Sequence, residues 1–393
     1  MDLFEKCYRF TEAKEVMALG IYPYFRPIES FQETIARIDG KEVIMIGSNN
    51  YLGLTHHPSV INAAREALER YGSSCTGSRF LNGTLTLHEE LEHRLARFMG
   101  KEMALVFSTG FQVNLGVISS LVARNELVIT DREDHASIVD GCRLSFGKNL
   151  KFPHGDLTAL ESILAANVDR PKLIVVDGVF SMEGDLADLP TLVDLAHRYN
   201  ARLLVDDAHG IGVVGPTGRG TAEHYGLTEG VDLVMGTFSK SFASLGGFVA
   251  GDEQVIHYIK HHARSLIFSA SMPPASVAAA MAALQVLEAE PQRVTRLNVI
   301  GERMRRGFKE LGFDTGKSQT AIIPIKVGLG MLQTFRLWKT LIEEGVFTNP
   351  VIPPAVAPND ELLRTSYMAT HEDQQLDRVL EIFGRVGKAF SLI

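Results

Sequence analysis

Cysteine is scarce in this 393-residue chain. Only Cys7, Cys75 and Cys142 occur, with no CxxC pair, which excludes a disulfide framework and a cysteine-based structural zinc site. Long apolar runs are missing too. The longest candidate, Pro273 to Leu287, is alanine-rich and falls short of the ~18 residues that a membrane span needs. The opening segment, MDLFEKCYRFTEAKEV, mixes charges into its apolar positions and so lacks the continuous apolar core of a signal peptide. Positive charge is in deficit: the net charge is −8, the wrong sign for a surface that must attract nucleic acid or anionic lipid. No repeat of 20 to 50 residues is present. Together these absences predict a protein of the reducing cytoplasm.

Hydrophobic residues make up 45% and charged residues 22%, and mean hydropathy is +0.05, values of an ordinary globular protein. At roughly 150 residues per domain, the length predicts two or three compact units. Apolar runs of strand length at Val43–Ile46, Ala104–Phe107, Leu127–Thr130, Lys172–Val176, Ala201–Val205, Asp232–Met235 and Phe248–Ala250 alternate with helix-period segments. The helical segments are Pro58–Arg70, Leu85–Phe98, Gly110–Leu121 and Leu189–Tyr199. This alternation predicts an α/β domain with a mostly parallel buried sheet, and ligands at the carboxyl ends of its strands. Near Pro291 the order changes to α+β. Two helical stretches reach Leu311, followed by a strand-like run Ala321–Val327, a helix Leu332–Glu344, a proline-rich turn Asn349–Pro358, a strand Leu363–Met368 and a helix His371–Phe390. The expected division is a large domain at 48–290, a small domain at 291–393, and an N-terminal segment 1–47 packing with the small one.

Gly210-Ile-Gly212-Val-Val-Gly215 matches G-x-G-x-x-G, but a dinucleotide fingerprint must open a helix on which the pyrophosphate rests. Here the chain runs into Pro216-Thr-Gly218-Arg-Gly220 instead. A stronger signal is Asp206-Asp207-Ala208-His209 at the end of an apolar strand, because a carboxylate placed there needs a cationic partner. A metal reading of Asp206 and His209 lacks a second ligand cluster. Further on, Gly236-Thr237-Phe238-Ser239-Lys240-Ser241 follows another strand and sets Lys240 thirty-one residues after His209. A lysine at such a sheet mouth can be desolvated, so that its free amine condenses with a carbonyl. Ser108-Thr109-Gly110-Phe111-Gln112 ends a strand and starts a helix, a phosphate cradle. Asp134-His135-Ala-Ser137 offers an imidazole to stack on a flat ring, and Phe180-Ser181-Met182 a further hydroxyl. The set asks for a small planar cofactor with a phosphate, a ring cation and a carbonyl.

These residues resemble the α-oxoamine synthase family of fold-type I pyridoxal 5′-phosphate (PLP) enzymes. The blocks that carry the likeness are Asn49-Asn50-Tyr-Leu-Gly-Leu54, Gly77-Ser-Arg-Phe-Leu-Asn-Gly-Thr84, His88-Glu-Glu-Leu-Glu92, Phe107-Ser-Thr-Gly-Phe111, Asp206-Asp-Ala-His209 and Thr237-Phe-Ser-Lys240, in the family's order, and the resemblance extends over nearly the whole chain. Tyr24-Phe-Arg-Pro-Ile28, Asp134-His-Ala-Ser-Ile138 and Phe268-Ser-Ala-Ser271 are most similar to the bacterial soluble serine palmitoyltransferase branch.

The resemblance implies a large domain with a seven-stranded sheet, a smaller α+β domain, and a cytoplasmic homodimer with a peripheral contact on the inner membrane face. It also implies condensation of L-serine with a long-chain acyl-CoA, palmitoyl-CoA, to 3-ketosphinganine, CoA and CO2, the first step of sphingolipid synthesis. Lys240 would hold the cofactor and move a Cα proton, Asp206 would pair with the pyridinium nitrogen, and His135 would stack on the ring. His209 and Ser181 would lie near the ring oxygen, and Gly110, Phe111, Thr237 and Ser239 would hold the phosphate, completed by Ser269 and Ala270 of a second copy. Arg364 would take the amino-acid carboxylate, with Asn50 and Ser78 in the same substrate region. Alternatives are a family member acting on glycine or alanine (2-amino-3-ketobutyrate CoA ligase or 8-amino-7-oxononanoate synthase) and an inactive regulatory subunit. The presence of Lys240, Asp206 and His135 together argues against the last.

Overall fold

The computed structural model describes residues 2–393. Its strands are β1 (Ile35–Ile38), β2 (Lys41–Met45), β3 (Met103–Phe107), β4 (Leu127–Asp131), β5 (Lys148–Phe152), β6 (Lys172–Asp177), β7 (Arg202–Asp206), β8 (Leu233–Thr237), β9 (Gly247–Gly251), β10 (Ile322–Lys326), β11 (Val346–Phe347), β12 (Asn349–Val351) and β13 (Leu362–Ser366). They fall in two compact units, one of residues 49–299 and one that joins the chain up to Ser48 with Ile300–Ile393.

The larger unit is built on a seven-stranded sheet of order β3-β9-β8-β7-β6-β4-β5. β4 to β8 pair in parallel, and β9 runs antiparallel to both neighbours. Inner strands β4, β6, β8 and β9 are buried at every position, as continuous apolar runs covered on both faces require. Alternate residues serve opposite faces. Leu127, Ile129, Ile174, Val176, Leu203 and Val205 join one core with Leu91 and Leu95, while Val128, Val175 and Leu204 join Val113 and Val117 in the other. Helices start where side chains cap them. Thr109, Asp156, Asp188 and Asp252 each accept a hydrogen bond from a first-turn backbone N–H, a contribution of about 1 kcal/mol each.

A buried ion pair ties this core together. Arg79 donates from both terminal nitrogens to Glu92, at 2.7 and 3.0 Å, and Glu92 also accepts from the Val106 backbone N–H at 2.9 Å. Both side chains are under one-tenth exposed. Arg79→Ala would strand a carboxylate in the core, so the urea midpoint should fall by the equivalent of about 3–5 kcal/mol. An unchanged midpoint would mean the pair is solvated.

The smaller unit holds two three-stranded sheets, β1-β2-β11 and β10-β13-β12, and long helices at Met331–Glu343 and Asp373–Ala389. Two expectations need correction. The run Val43–Ile46 is a strand, but β2 pairs antiparallel with β1 and parallel with β11, outside the seven-stranded sheet. The seventh strand there is β5, Lys-Asn-Leu-Lys-Phe, whose polar residues hide it from a search for apolar runs and suit an open edge. The expected turn Asn349–Pro358 also begins with a strand, β12, paired antiparallel with β13. As an edge strand it accommodates Pro350. Among the described residues, no helix is long and apolar enough to cross a membrane.

Candidate active site

Strand ends place the chemistry. β3 leads into Thr109 and the helix Gly110–Leu121, β7 ends at Asp206, and β8 ends at Thr237, two residues before Ser239. Gly110, Phe111, His135, Asp206, His209, Thr237, Ser239 and Lys240 all line one cavity of about 260 Å³ at these carboxyl ends, as open α/β sheets arrange their ligands. A larger hollow of about 760 Å³ lies at the opposite ends, beside Leu127, Lys172, Arg202 and Leu233. Its cations are engaged: Lys172 donates to the Tyr199 carbonyl and Arg202 to Asp232. None of the catalytic candidates reaches it.

Asp206 is buried. Its Oδ2 accepts from Asn114 Nδ2 at 2.6 Å and its Oδ1 from the Ala208 backbone N–H at 3.1 Å. Both donors are neutral amides, so neither supplies the carboxylate with a counter-charge. Asp134 and Asp177 are buried nearby, and burial first, then the neighbouring carboxylates, push both carboxyl groups far above the usual range. His135 opens onto the cavity while its Nδ1 edge is packed. Desolvation, then the Lys240 charge, pull its pKa down, against Asp206. The Phe111 ring meets the His135 ring edge-on at 6.3 Å between centroids. His209 Nδ1 lies 2.7 Å from the buried Tyr51 hydroxyl.

The anion end is equally built. Thr109 caps the helix by accepting from the Gln112 N–H at 3.1 Å. Thr237 Oγ1 donates to the Gly246 carbonyl at 3.0 Å and sits 3.0 Å from Ser239 Oγ. A Cβ on Gly110 would stand 2.7 Å from Thr237 Oγ1, so the bare backbone is needed for this close approach. A helix N-terminus, two hydroxyls, an amine and a buried acid in one cavity fit PLP.

Other expected residues lie elsewhere. Ser181 follows β6 but does not line the cavity. Ser269 Oγ accepts from Gln112 Nε2 at 2.9 Å, and the Ala270 carbonyl accepts from Ser108 Oγ, beside the helix start and outside the cavity. Asn50 closes a local turn, accepting from the Leu54 N–H at 3.0 Å and donating to Thr55 at 2.9 Å. Ser78 Oγ is buried and finds no hydrogen-bond partner among the described residues. Arg364 is buried on β13 of the smaller unit, in register with Pro324 and Asn349.

The first glycine of the false dinucleotide fingerprint, and Gly220 beyond it, have a different reason. A Cβ at Gly210 would stand 1.8 Å from Asp207 Oδ1, and one at Gly220 1.9 Å from Oδ2. The turn wraps Asp207, which accepts from Thr221 N–H and Oγ1 at 2.6 and 3.1 Å and whose pKa burial raises to about 7.

Sequence reasoning missed Asn114, Tyr51, Asp177 and His154. Asn114 left a trace, a polar residue on the apolar face of a helix next to Val113 and Val117. His154 left none. Its Nδ1 lies 3.1 Å from Asp131 Oδ1 and its Nε2 3.0 Å from Asp185 Oδ2. The hydrogen bonds to Asp131 and then Asp185 outweigh burial and raise its pKa from 6.5 to about 10. A raised folded-state pKa stabilises fully below the unfolded value and ceases to do so as pH climbs through the folded one. The wild-type unfolding midpoint should therefore fall relative to that of His154→Gln between about pH 6.5 and 10. Parallel curves for the two proteins would show that the imidazole is neutral.

Comparison with known proteins agrees with this architecture. Residues 41–383 match the family model "Aminotransferase class I and II". A serine palmitoyltransferase of Bacteroides thetaiotaomicron is 52% identical over 392 residues, covering 100% of this chain and 99% of that one. An 8-amino-7-oxononanoate synthase of Geobacter sulfurreducens is 43% identical, covering 97% and 98%. Among solved structures, a variant serine palmitoyltransferase from S. paucimobilis with PLP and myriocin bound superposes with a TM-score of 0.96 at 37% identity, covering all of both chains. On sequence and fold together, the chain belongs to the aminotransferase class I and II family.

Proposed function

We propose that this protein is a PLP-dependent acyltransferase that condenses L-serine with a long-chain acyl-CoA, palmitoyl-CoA in the first instance, to give 3-ketosphinganine, CoA and CO2. The observation that carries the chemistry is the convergence of Lys240, Asp206, His135 and the Gly110–Thr237 cradle on one cavity. The choice of serine is supported by the 52% identity to a serine palmitoyltransferase, against 43% to an 8-amino-7-oxononanoate synthase.

When bound, PLP supplies an electron sink for a carbanion at the amino-acid Cα. Lys240 binds its carbonyl carbon through Nζ and is placed to move the Cα proton. Asp206 holds the ring nitrogen's proton from a site where Asn114 and Ala208 fix both carboxylate oxygens. His135 packs on the ring face and keeps water from it. His209, braced by Tyr51, serves the ring oxygen. The N–H groups of Gly110 and Phe111 and the hydroxyls of Thr237 and Ser239 hold the phosphate. Arg364 would take the amino-acid carboxylate bidentately and so orient it, and Asn50 and Ser78 are further candidates for holding the substrate. The reading includes a cytoplasmic homodimer in which Ser269 and Ala270 complete the partner's phosphate site, and a peripheral contact with the inner membrane face where an amphiphilic acyl-CoA concentrates.

A site that hydrogen-bonds a substrate hydroxyl rejects the analogue lacking it by up to ~10⁴-fold, whereas each methylene of an apolar channel contributes only about 1–3 kcal/mol. Amino-acid choice should accordingly be sharp and acyl-length choice graded. The test is a mass-spectrometric product screen with serine, glycine and alanine against acyl-CoAs of increasing length. A higher kcat/KM for glycine or alanine would move the protein to another branch of the family.

A further inference from the structure

His135 and Asp206 stand on different elements, and the structure joins them through Asn114, already met as a donor to Asp206, and through Ser137, which the chemistry above does not use. Ser137 Oγ lies 2.7 Å from His135 Nδ1. The Ser137 backbone N–H also donates to that nitrogen, at 3.3 Å, where the imidazole caps the helix Ala136–Leu144. Asn114 Nδ2 donates to Ser137 Oγ at 2.9 Å and to Asp206 Oδ2 at 2.6 Å. Asn114 and Ser137 are almost fully buried.

The donors and acceptors of this chain can be assigned in one direction. An amide flipped at Asn114 would turn its carbonyl against the Asp206 carboxylate, so the NH2 group faces Asp206 and spends its two protons on Asp206 and Ser137. Ser137 Oγ, accepting from that amide, has one proton left, and the acceptor in reach is His135 Nδ1. With the backbone N–H also aimed at it, Nδ1 meets two donors. A proton on Nδ1 would oppose the N–H and displace the hydroxyl, so the ring carries its proton on Nε2 and stays neutral.

We propose that Asn114 and Ser137 are positioning residues that lock His135 in its Nε2–H form and aim the Asp206 carboxylate from a single amide. This rests on the PLP reading for its purpose, because one relay then fixes both the group under the ring and the group at the ring nitrogen. The lock itself is a property of the protein alone. The other groups that face His135 are Asp206 and Lys240, whose charges it feels, Phe111 at its ring edge, and Asp177, whose carboxyl accepts from the His135 backbone N–H.

Hydrogen–deuterium exchange at histidine C2, read by mass spectrometry on the purified full chain, gives the titration midpoint of His135 by itself. In the wild-type protein it should lie below the ordinary value of about 6.5. Ser137→Ala frees the Nδ1 lone pair and should raise the midpoint by about one pH unit, while Ser137→Thr, which keeps the hydroxyl, should restore it. Asn114→Ala should weaken PLP binding to the stripped protein about tenfold, the loss of one hydrogen bond to a charged group. A wild-type midpoint at or above the ordinary value overturns the lock, even if the variants do not fold. So does an unchanged midpoint in Ser137→Ala, or a Thr variant that behaves like Ala. A chain that takes up no PLP would instead overturn the cofactor reading and leave the His135 result to decide this one.

Discussion

Lys240→Ala should give a folded protein with no covalently attached chromophore and turnover lower by several orders of magnitude. Lys240 sits in the loop after β8, where it shares the cavity with Asp206 and His135, and in the proposed function it would supply both the covalent anchor and the proton shuttle, functions that fail together rather than additively. Stability should change little, since the side chain belongs to the cavity wall and not to either core cluster. Borohydride reduction of the wild-type protein followed by peptide mapping locates the anchor independently of activity. Label on any other lysine, or full turnover in the alanine variant, would remove Lys240 from the mechanism.

The inner strands were legible because burial on both faces leaves no room for alternation: β4, β6, β7 and β8 are short apolar runs and each was placed within two residues. β5 escaped because an edge strand carries lysines where an inner one carries valines. β2 was recognised as a strand but given to the wrong sheet, since a four-residue apolar run says nothing about its partner, and its pairing with β11 joins residues some 300 positions apart. In the site, Lys240, Asp206 and His135 announced themselves by following strands directly. The residues that govern them did not. Asn114 acts from the second turn of a helix, and Asp177 is a single acid at a strand end whose meaning comes from standing in register with Asp206 on the next strand. Contacts between elements are set by register and packing, and one sequence read alone carries neither. The G-x-G-x-x-G match shows the converse error. Its glycines are required, but by the close approach of Asp207 to Gly210, Ser241 to Gly212 and Glu223 to Gly215, and the missing helix after Gly215 is the observation that rules out a pyrophosphate.

Asp206→Asn should separate stability from function. The amide keeps an acceptor for Asn114 but cannot hold the proton of a ring cation, so exchange of the substrate Cα proton should fall at least about 10²-fold, the scale on which preorganised charge acts in a site shielded from water. The stripped protein should respond in the opposite sense. The Asp206 charge raises the pKa values of Asp134, Asp177 and Asp207, and a buried acid whose folded-state pKa is raised loses stability as pH rises through that value. Removing the charge relieves all three, so the unfolding midpoint of stripped Asp206→Asn at neutral pH should exceed that of the stripped wild type, and the gap should widen as pH rises. With PLP added the order should reverse, because only the wild-type carboxylate gains the ring cation as its counter-charge and binding to the folded state adds to its stability. Wild-type exchange rates in the variant would mean that another group pairs with the ring. A stripped variant less stable than the stripped wild type would mean that the hydrogen bonds from Asn114 and Ala208 outweigh the repulsion among the acids, and that the empty site is not a place where stability is held back for binding.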